Sequence, residues 1–485
     1  MEKTVAEQLA AEAKRLTFSE LPPEVIRQVK RLVLDALGCG LGAYLGEPSQ
    51  AIQRMIKELN GPAESTVFGS GLKTSCLYAT LANGTMVKYL DYNDRSFLTK
   101  EARHHTGHHG ESIPSILAVG ERQHSTGQEV MTAVVLAYEL LNKIFDSIDE
   151  NERWGAHTGY DAILSSRGWT HETMRTPCVM ALVAGRLLGL NEDQMAHALA
   201  LAGSFNFELG IVNWCEEQLT MARNLKFPYG AYGGILGAFL AKSGFKGPIN
   251  IFEGRQGIAE IVTGGAMNLE KLIQPRKEWT ILNTWVKRFS AGGVTQGVID
   301  ATLSLVKEHH IKAEDVAEVK IKTTSLTKRI LGNPETRRDP KTKESADHSS
   351  YYTAAIAILD RAVGPEQFSA EKLRDRRVRE LIDKISLEPD PKLDEFSSPG
   401  SGPAIVEIIT KSGVKYKCEV RHPKGHPMNP MTDADVEEKF RSMAGKLMVE
   451  EQMRQIIDTV YNLDKLDDIG DLVKMLVIPG QDKGK

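Results

Sequence analysis

Cysteine is scarce in this sequence and shows no pairing pattern. The 485 residues include five cysteines, and no two of them are separated by only two residues. They are Cys39, Cys76, Cys178, Cys215 and Cys418. An odd number of scattered cysteines provides neither a disulfide framework nor a set of iron–sulfur ligands. We therefore expect a cytoplasmic protein, kept in a reducing environment.

The sequence also lacks an excess of charge and a long apolar run. The formal net charge is −4, so the basic excess that neutralises nucleic-acid phosphates or attracts anionic lipids is missing. The first residues are charged and lack the apolar core of a signal peptide. The longest weakly polar stretch, 195–215, contains polar residues that favour buried core helices over a membrane span. We therefore expect neither nucleic acid nor a membrane as a partner.

Nucleotide-binding signatures are absent as well. The sequence contains no G-x-x-x-x-G-K-[S/T] motif and no G-x-G-x-x-G motif. The short Gly69-Ser70-Gly71 lacks the following glycine, so a loop is the better interpretation. The sequence therefore predicts no nucleotide cofactor.

Helical patterns fill roughly the first 270 residues. Pro23 stands where helices favour proline, 129–145 is amphipathic, and Asn191 with Gln194 forms a helix-start signature. Small residues in 230–240 permit close packing between helices. Since 485 residues exceed the usual size of one hydrophobic core, more than one domain is expected.

After about residue 272 the pattern changes to strands mixed with helices. Alternation in 319–323 predicts a strand, and 405–409 with 414–420 predicts a hairpin. One face of that hairpin is predicted to be buried, and its residues are Val414, Tyr416, Cys418 and Val420. Residues 352–361 and 373–385 have helical patterns.

Helical character returns from Thr432, which predicts that the C-terminal segment packs on the first part. The predicted fold is mainly α, with a large helical domain interrupted by a smaller α+β domain. The helical domain takes 1–272 and 426–485, and the inserted domain takes 273–425. Ligands commonly bind in the cleft between two such domains.

The most conspicuous polar feature is His104-His105-Thr106-Gly107-His108-His109, which follows Asp91-Tyr92-Asn93-Asp94. Imidazoles with carboxylates can ligate a metal, transfer protons near neutral pH, or simply form a polar loop. The residues alone leave all three interpretations open. Other candidates that are weak individually are His171, Lys226, Lys287, Arg288 and the segment Asp347–Tyr352.

Several short motifs, taken in order, resemble the MmgE/PrpD family over about 400 residues. The N-terminal ones are Leu21-Pro22-Pro23-Glu24-Val25, Leu34–Cys39, Leu90–Asp94 and His108-His109-Gly110-Glu111-Ser112-Ile113-Pro114. The later ones are Gly244–Pro248 with Glu253-Gly254, Lys287-Arg288-Phe289, Ala346–Ser349 and Pro423–Pro430. The resemblance implies a large helical domain, a smaller α+β lid and a homodimer.

The resemblance also implies roles for particular residues. Asp91, His108, His171, Lys287 and Tyr352 match positions of the family's catalytic groups. The implied substrate-binding residues are Lys226, Arg288, His348 and Gln296, and Arg223 is the alternative to Lys226. The implied substrate is a small anionic carboxylate, and no metal or other cofactor is expected.

The implied chemistry is proton transfer next to a carboxylate. Lysines and a protonated histidine stabilise the developing charge, a neutral histidine or Asp91 takes the proton, and a second acid protonates a departing hydroxyl. Two departures stand out: Arg95 replaces a frequent threonine, and 289–296 lacks the lid histidine that family members often carry. The leading prediction is dehydration of a 2-methylcitrate-like acid. Epimerisation or isomerisation is the second alternative, and decarboxylation is the third. A carboxylate-binding protein without activity is the alternative from another class.

Overall fold

Helices dominate the structure, and the prediction of a mainly α fold is confirmed. The computed structural model describes residues 3–100, 105–148, 162–170, 172–214, 218–275, 278–332, 335–396 and 402–480. Within these residues, no helix has both the length and the apolar character needed to cross a membrane.

The helical part contains the longest helices of the described chain. They are Val5–Arg15, Pro23–Gly42, Glu47–Leu59, Cys76–Tyr89, Ile113–Gln123, Gly127–Asp146, Arg175–Leu187, Glu192–Phe205, Lys226–Lys242, Asp433–Ala444 and Glu450–Tyr461. Shorter helices are Ala162–Ser166, Ile211–Trp214, Ile258–Ile261, Leu269–Ile273 and Gly470–Lys474. Two small ladders pair Ser65–Thr66 with Lys73–Thr74, and Ser96–Phe97 with His105–Gly107.

Local signals in the sequence explain where several helices begin. Pro23 occupies the first position of its helix, as predicted. The Asn191 side chain accepts a hydrogen bond from the Gln194 amide at 2.9 Å, and Gln194 reciprocates in a capping box. Thr432 caps the helix Asp433–Ala444 in the same way, through Asp435.

Glycines in the helix Lys226–Lys242 bring three helices close together, which confirms the prediction of close packing. A Cβ atom at Gly234 would lie 2.6 Å from the carbonyl oxygen of Pro177, and one at Gly237 would lie 2.8 Å from that of Ala198. The helices Arg175–Leu187 and Glu192–Phe205 therefore pack against it at backbone distance.

The α+β part contains a four-stranded sheet covered by helices. The strand order is Ile385–Pro389, Val316–Thr323, Ala404–Thr410 and Lys415–Val420; the first pair is parallel and the other two are antiparallel. The longer helices are Gln296–Glu308 and Ser350–Asp360. Shorter helices are Ser325–Thr327, Glu335–Arg338, Lys343–Ala346, Ala370–Arg374, Arg376–Ile382 and Pro391–Phe396.

Two sequence predictions in this part were wrong in detail. The predicted helix 373–385 breaks at Asp375, where the backbone is extended and the side-chain Oδ1 accepts a hydrogen bond from the Arg377 amide to cap a new helix. Ile385 then begins a strand that pairs with Val319. Val414 was expected on a buried face but is 46% exposed, because it lies in the hairpin turn before the edge strand Lys415–Val420.

The buried apolar side chains form two main clusters. One contains residues between 5 and 286 together with residues between 431 and 478, and the other contains residues between 289 and 408. The C-terminal helix Asp433–Ala444 packs on Pro23–Gly42, where Gly38 lies against Phe440. The connection around Lys287 lies between the two clusters.

Candidate functional site

Asp91 lies where a helix of the helical part ends. It follows the helix Cys76–Tyr89, adopts a left-handed backbone conformation with φ of 45°, and its side chain is 6% exposed. Aspartate is among the few residues besides glycine that tolerate this conformation. The turn directs the carboxylate toward basic side chains of other segments.

Three basic groups surround the Asp91 carboxylate. Lys287 Nζ lies 3.2 Å and Lys88 Nζ 3.5 Å from Oδ1, while His348 Nε2 lies 3.6 Å from Oδ2. Burial alone would raise the pKa of Asp91, but Lys287, His348 and Lys88, with His108, hold that pKa well below its usual range. Asp91 is therefore ionised at physiological pH and is a weak proton acceptor.

Lys287 is fully buried in the connection between the two parts of the chain. Its Nζ donates to the carbonyl oxygen of Asp91 and, at 3.4 Å, to that of Ala291. Burial lowers the pKa of Lys287 to about 8, Asp91 opposes this shift, and Lys88 and Arg95 add to it. The ammonium group thus titrates close to physiological pH.

This titration predicts the alkaline side of a pH–rate profile. As pH rises through about 8, Lys287 loses its proton, so kcat/KM should fall there because an uncharged amine no longer attracts a carboxylate. A bound anionic substrate favours the ammonium form, so the fall in kcat should lie at higher pH. Lys287→Arg should shift the alkaline fall by more than one pH unit upward, since arginine stays charged. An unchanged fall in this variant would contradict the assignment.

His108 has a defined proton arrangement. Its Nδ1 lies 2.6 Å from the carbonyl oxygen of Asp94. Because a carbonyl oxygen only accepts, Nδ1 carries a proton, and Nε2 is the atom that can exchange one. The side chain is partly exposed, and its charge acts on Asp91. His108 is therefore placed to transfer a proton beside a carboxylate.

The neighbouring His109 has different surroundings. It is buried, its Nε2 lies 2.9 Å from Asn142 Oδ1, and its ring meets Tyr138 edge-on. Asp94 fixes this loop by accepting from the Gly110 amide at 2.9 Å and the Tyr138 hydroxyl at 2.8 Å. Burial raises the pKa of Asp94 to about 7. The loop supports His108, while His104 and the side chain of His105 lie outside the described residues.

The α+β part contributes His348 to the site. Its Nδ1 bonds to Asp347 Oδ1, and Arg223 Nη2 donates to its Nε2 at 3.0 Å. Burial and the Arg223 charge lower the pKa of His348, whereas Asp347 and Asp91 oppose that shift. Arg223 Nε is buried and has no hydrogen-bond partner among the described residues, which leaves a donor for an anionic ligand.

We call these residues the Asp91 cluster; they are Lys88, Asp91, His108, Arg223, Lys287, Asp347 and His348. Sequence reasoning missed Lys88, which also pairs with Glu111 at 3.1 Å. It also missed Glu172, which pairs with the predicted Lys226 at 3.0 Å. Lys88 stands one helical turn before Asp91, and this spacing was the available signal.

Three predicted site residues point elsewhere. The Tyr352 hydroxyl donates to the Gln367 carbonyl at 2.7 Å, and its ring packs on Phe368 in the α+β core. The Gln296 amide bonds to Phe289 and Ala291 and braces the loop after Lys287. The Arg288 side chain is 51% exposed and lies 3.7 Å from Asp300. The predicted His171 lies outside the described residues.

Asp91, Asp347 and His348 present ligand atoms within 4.8 Å of one another, which is a spacing compatible with a metal ion. Cationic groups already occupy that position: Lys287 pairs with Asp91, Lys343 lies 2.7 Å from Asp347, and Arg223 bonds to His348. A divalent cation would be repelled by these charges. The arrangement therefore suits an anion better than a cation.

The family was identified by matching domain models. The MmgE/PrpD N-terminal domain matches residues 7–270, and the MmgE/PrpD C-terminal domain matches residues 289–464. The chain belongs to the MmgE/PrpD family. The resemblance inferred from short motifs is thereby confirmed.

Several MmgE/PrpD relatives are named enzymes. The human cis-aconitate decarboxylase is 26% identical over 99% of this chain and 96% of its own length. A cis-aconitate decarboxylase-like protein of Aspergillus oryzae is 25% identical over 98% of both chains. A mitochondrial 2-methylcitrate dehydratase of Yarrowia lipolytica is 24% identical over 81% of this chain and 75% of its own. These names indicate an MmgE/PrpD-type lyase.

Proposed function

We propose that this protein is a cofactor-independent lyase that removes carbon dioxide from a small unsaturated di- or tricarboxylate. The observation that carries the proposal is the Asp91 cluster, in which Lys287 pairs with an ionised Asp91, Arg223 bonds to the neighbouring His348, and His108 has Nε2 as the ring atom that can exchange a proton. Near-full-length relatives bearing the name cis-aconitate decarboxylase support the same reaction.

The reaction requires a site for negative charge and one proton donor. The bond to the departing carboxylate breaks, carbon dioxide leaves, and the electron pair stays on carbon, where an adjacent double bond and its carboxylate delocalise it. The Lys287 ammonium and the Arg223 guanidinium stabilise this anion. Protonated His108 then delivers the Nε2 proton to carbon, and solvent restores it.

Decarboxylation fits the described residues better than the dehydration that the sequence predicted. Dehydration needs a base for a C–H proton and an acid for the departing hydroxyl, whereas decarboxylation needs one proton. Asp91 is held ionised and is a weak base, and the Nδ1 proton of His348 is engaged by Asp347. Dehydration remains the second candidate, supported by the named dehydratase from Yarrowia lipolytica.

Calorimetric titration with polycarboxylates tests the substrate class. We expect cis-aconitate to bind, and we expect monocarboxylates of similar size to bind at least about tenfold more weakly, since each charge-assisted contact contributes about 1.5–3 kcal/mol. Equal binding of both would refute the polycarboxylate site. Tight binding without turnover would instead favour the carboxylate-binding protein.

We also propose that the protein is a homodimer. Large apolar side chains are exposed between residues 205 and 245: Phe205 is 79%, Ile211 69%, Tyr229 61% and Phe245 60% exposed. Exposed apolar surface of this kind marks interaction sites. Sedimentation should therefore give twice the monomer mass, and Ile211→Asp with Tyr229→Asp should yield monomers. A monomeric wild-type protein would contradict the proposal.

A further inference from the structure

Four consecutive carbonyl groups at the end of the helix Cys76–Tyr89 accept hydrogen bonds from side chains that are distant in sequence. Lys343 Nζ donates to Tyr89, Ser290 Oγ to Leu90 at 2.6 Å, Lys287 Nζ to Asp91, and Lys439 Nζ to Tyr92 at 2.7 Å. The donors come from the connection, the α+β part and the C-terminal helix. Residues 89–92, which we call the Asp91 turn, thus join three separate segments.

The physical reason lies in how helices end. The last carbonyl groups of a helix lack donors within it and form the negative end of its dipole, so cations there are stabilising. Asp91 then reverses the chain with a φ of 45°, a conformation that a continuing helix would not impose. The position of the Asp91 carboxylate therefore depends on donors from outside the turn.

Lys343 lies in the helix Lys343–Ala346 of the α+β part, whereas Lys287 and Ser290 lie in the connection that leads into that part and Lys439 lies in the C-terminal helix. The Lys343 side chain is 11% exposed, its Nζ lies 2.7 Å from Asp347, and it sits 4.6 Å from the centre of the Tyr89 ring. Its bond to the Tyr89 carbonyl connects the helix Lys343–Ala346, which is followed by the turn that carries His348, to the turn that carries Asp91. The two parts meet at this contact.

We propose that Lys343 is a positioning residue: by binding the Tyr89 carbonyl, it keeps the Asp91 turn in the shape that places the carboxylate beside Lys287 and Lys88. The α+β part thereby controls whether Asp91 is in place. The catalytic consequence rests on the proposed function, whereas the structural claim about the turn does not.

Hydrogen exchange followed by mass spectrometry tests the structural claim without any substrate. In Lys343→Met, the amides of residues 90–93 should exchange at least about tenfold faster, because local opening becomes easier when the donor is lost. Lys343→Arg should restore slow exchange. The matched control is Lys384→Met. Lys384 is a partly buried lysine of the α+β part whose Nζ donates to the carbonyl oxygen of Val316 at 2.8 Å, so this variant should leave exchange in the turn unchanged.

A second variant distinguishes the contact of Lys343 with the Tyr89 carbonyl from its ion pair with Asp347. Asp347→Asn removes the charge opposite Lys343 but retains the contact with Tyr89, so the turn should exchange as in the wild type. Unchanged exchange in Lys343→Met, or equal acceleration in Lys384→Met, would overturn the proposal. If Lys343→Met does not fold, Lys343→Gln provides the same comparison.

Turnover gives the catalytic readout. We expect Lys343→Met to lower kcat about tenfold with KM changed less than about threefold, because Lys343 acts on Asp91 and not on substrate. Lys343→Arg should recover most of kcat. A wild-type enzyme inert toward all polycarboxylates would refute the proposed function, while hydrogen exchange would still decide the role of Lys343.

Discussion

Replacing Asp91 by asparagine should lower kcat at least about a thousandfold, because the buried carboxylate organises the charges around the reacting carbon. Asparagine tolerates the left-handed backbone conformation and has nearly the same size, so the turn should persist. Without the carboxylate, Lys287 loses the negative charge that raises its pKa. A smaller fraction of the Lys287 side chains is then protonated at neutral pH. Steady-state kinetics with the substrate that the wild-type enzyme decarboxylates measures the effect.

The matched control for this variant is Asp94→Asn. Asp94 belongs to the same motif and is equally buried, but it bonds to the Gly110 amide and the Tyr138 hydroxyl and not to the cations. We expect less than about a tenfold loss for Asp94→Asn, since an amide oxygen can still accept the Gly110 bond. An Asp91→Asn enzyme that keeps more than a tenth of wild-type kcat would contradict the role given to Asp91.

The second large effect is expected from His108→Ala. Removing a positioned proton donor typically costs a hundredfold to ten-thousandfold in rate, so kcat should fall by roughly that factor. Since the side chain is partly exposed, added imidazole can enter the space and should restore part of the activity. The measurement is kcat as a function of imidazole concentration and pH.

His109→Gln serves as the comparison. His109 is buried against Tyr138 and Asn142, so this variant should lose thermal stability and keep most of the activity of its folded fraction. Imidazole should not change its rate. If His108→Ala turns over normally, or if His109→Gln is the variant that imidazole rescues, the proton donor has been assigned to the wrong histidine.

Sequence patterns predicted the helical part because each helix carries its own signals. Pro23, the Asn191–Gln194 capping box and the glycines around Gly234 act locally or through simple close packing. The break at Asp375 was missed, because 373–385 is helical in pattern and the pairing of Ile385 with Val319 involves distant residues. Tertiary pairing there outweighed local propensity.

Site residues could be predicted from the sequence only where they belong to short family motifs. Asp91, His108, Lys287 and His348 lie together as family motifs implied, whereas Tyr352 and Gln296 bond within the α+β part. Matching a residue to a motif does not establish where its side chain points. Glu111 and Glu172 form ion pairs with Lys88 and Lys226, and these pairs join segments that are far apart in sequence, which a single sequence does not reveal.

One of the departures from the family pattern also has a structural explanation. The Arg95 guanidinium lies 5.5 Å from the rings of both Phe97 and Trp285. A Cβ atom at position 293 would collide with that guanidinium, so Arg95 and Gly293 fit together. The absence of a histidine in 289–296 leaves His108 and His348 as the imidazoles that the described residues place near Asp91.

The most direct test of the central claim combines proton NMR with a measurement of released carbon dioxide, using the wild-type enzyme and cis-aconitate in deuterated water. Decarboxylation should release carbon dioxide and leave one deuterium on the product, at the carbon that receives the proton from His108. His108→Ala and Asp91→Asn should suppress both the release of carbon dioxide and the incorporation of deuterium. Formation of a deuterated hydroxy acid without carbon dioxide would identify a dehydratase working in reverse. Carbon dioxide release at an unchanged rate in His108→Ala would contradict the proposed mechanism.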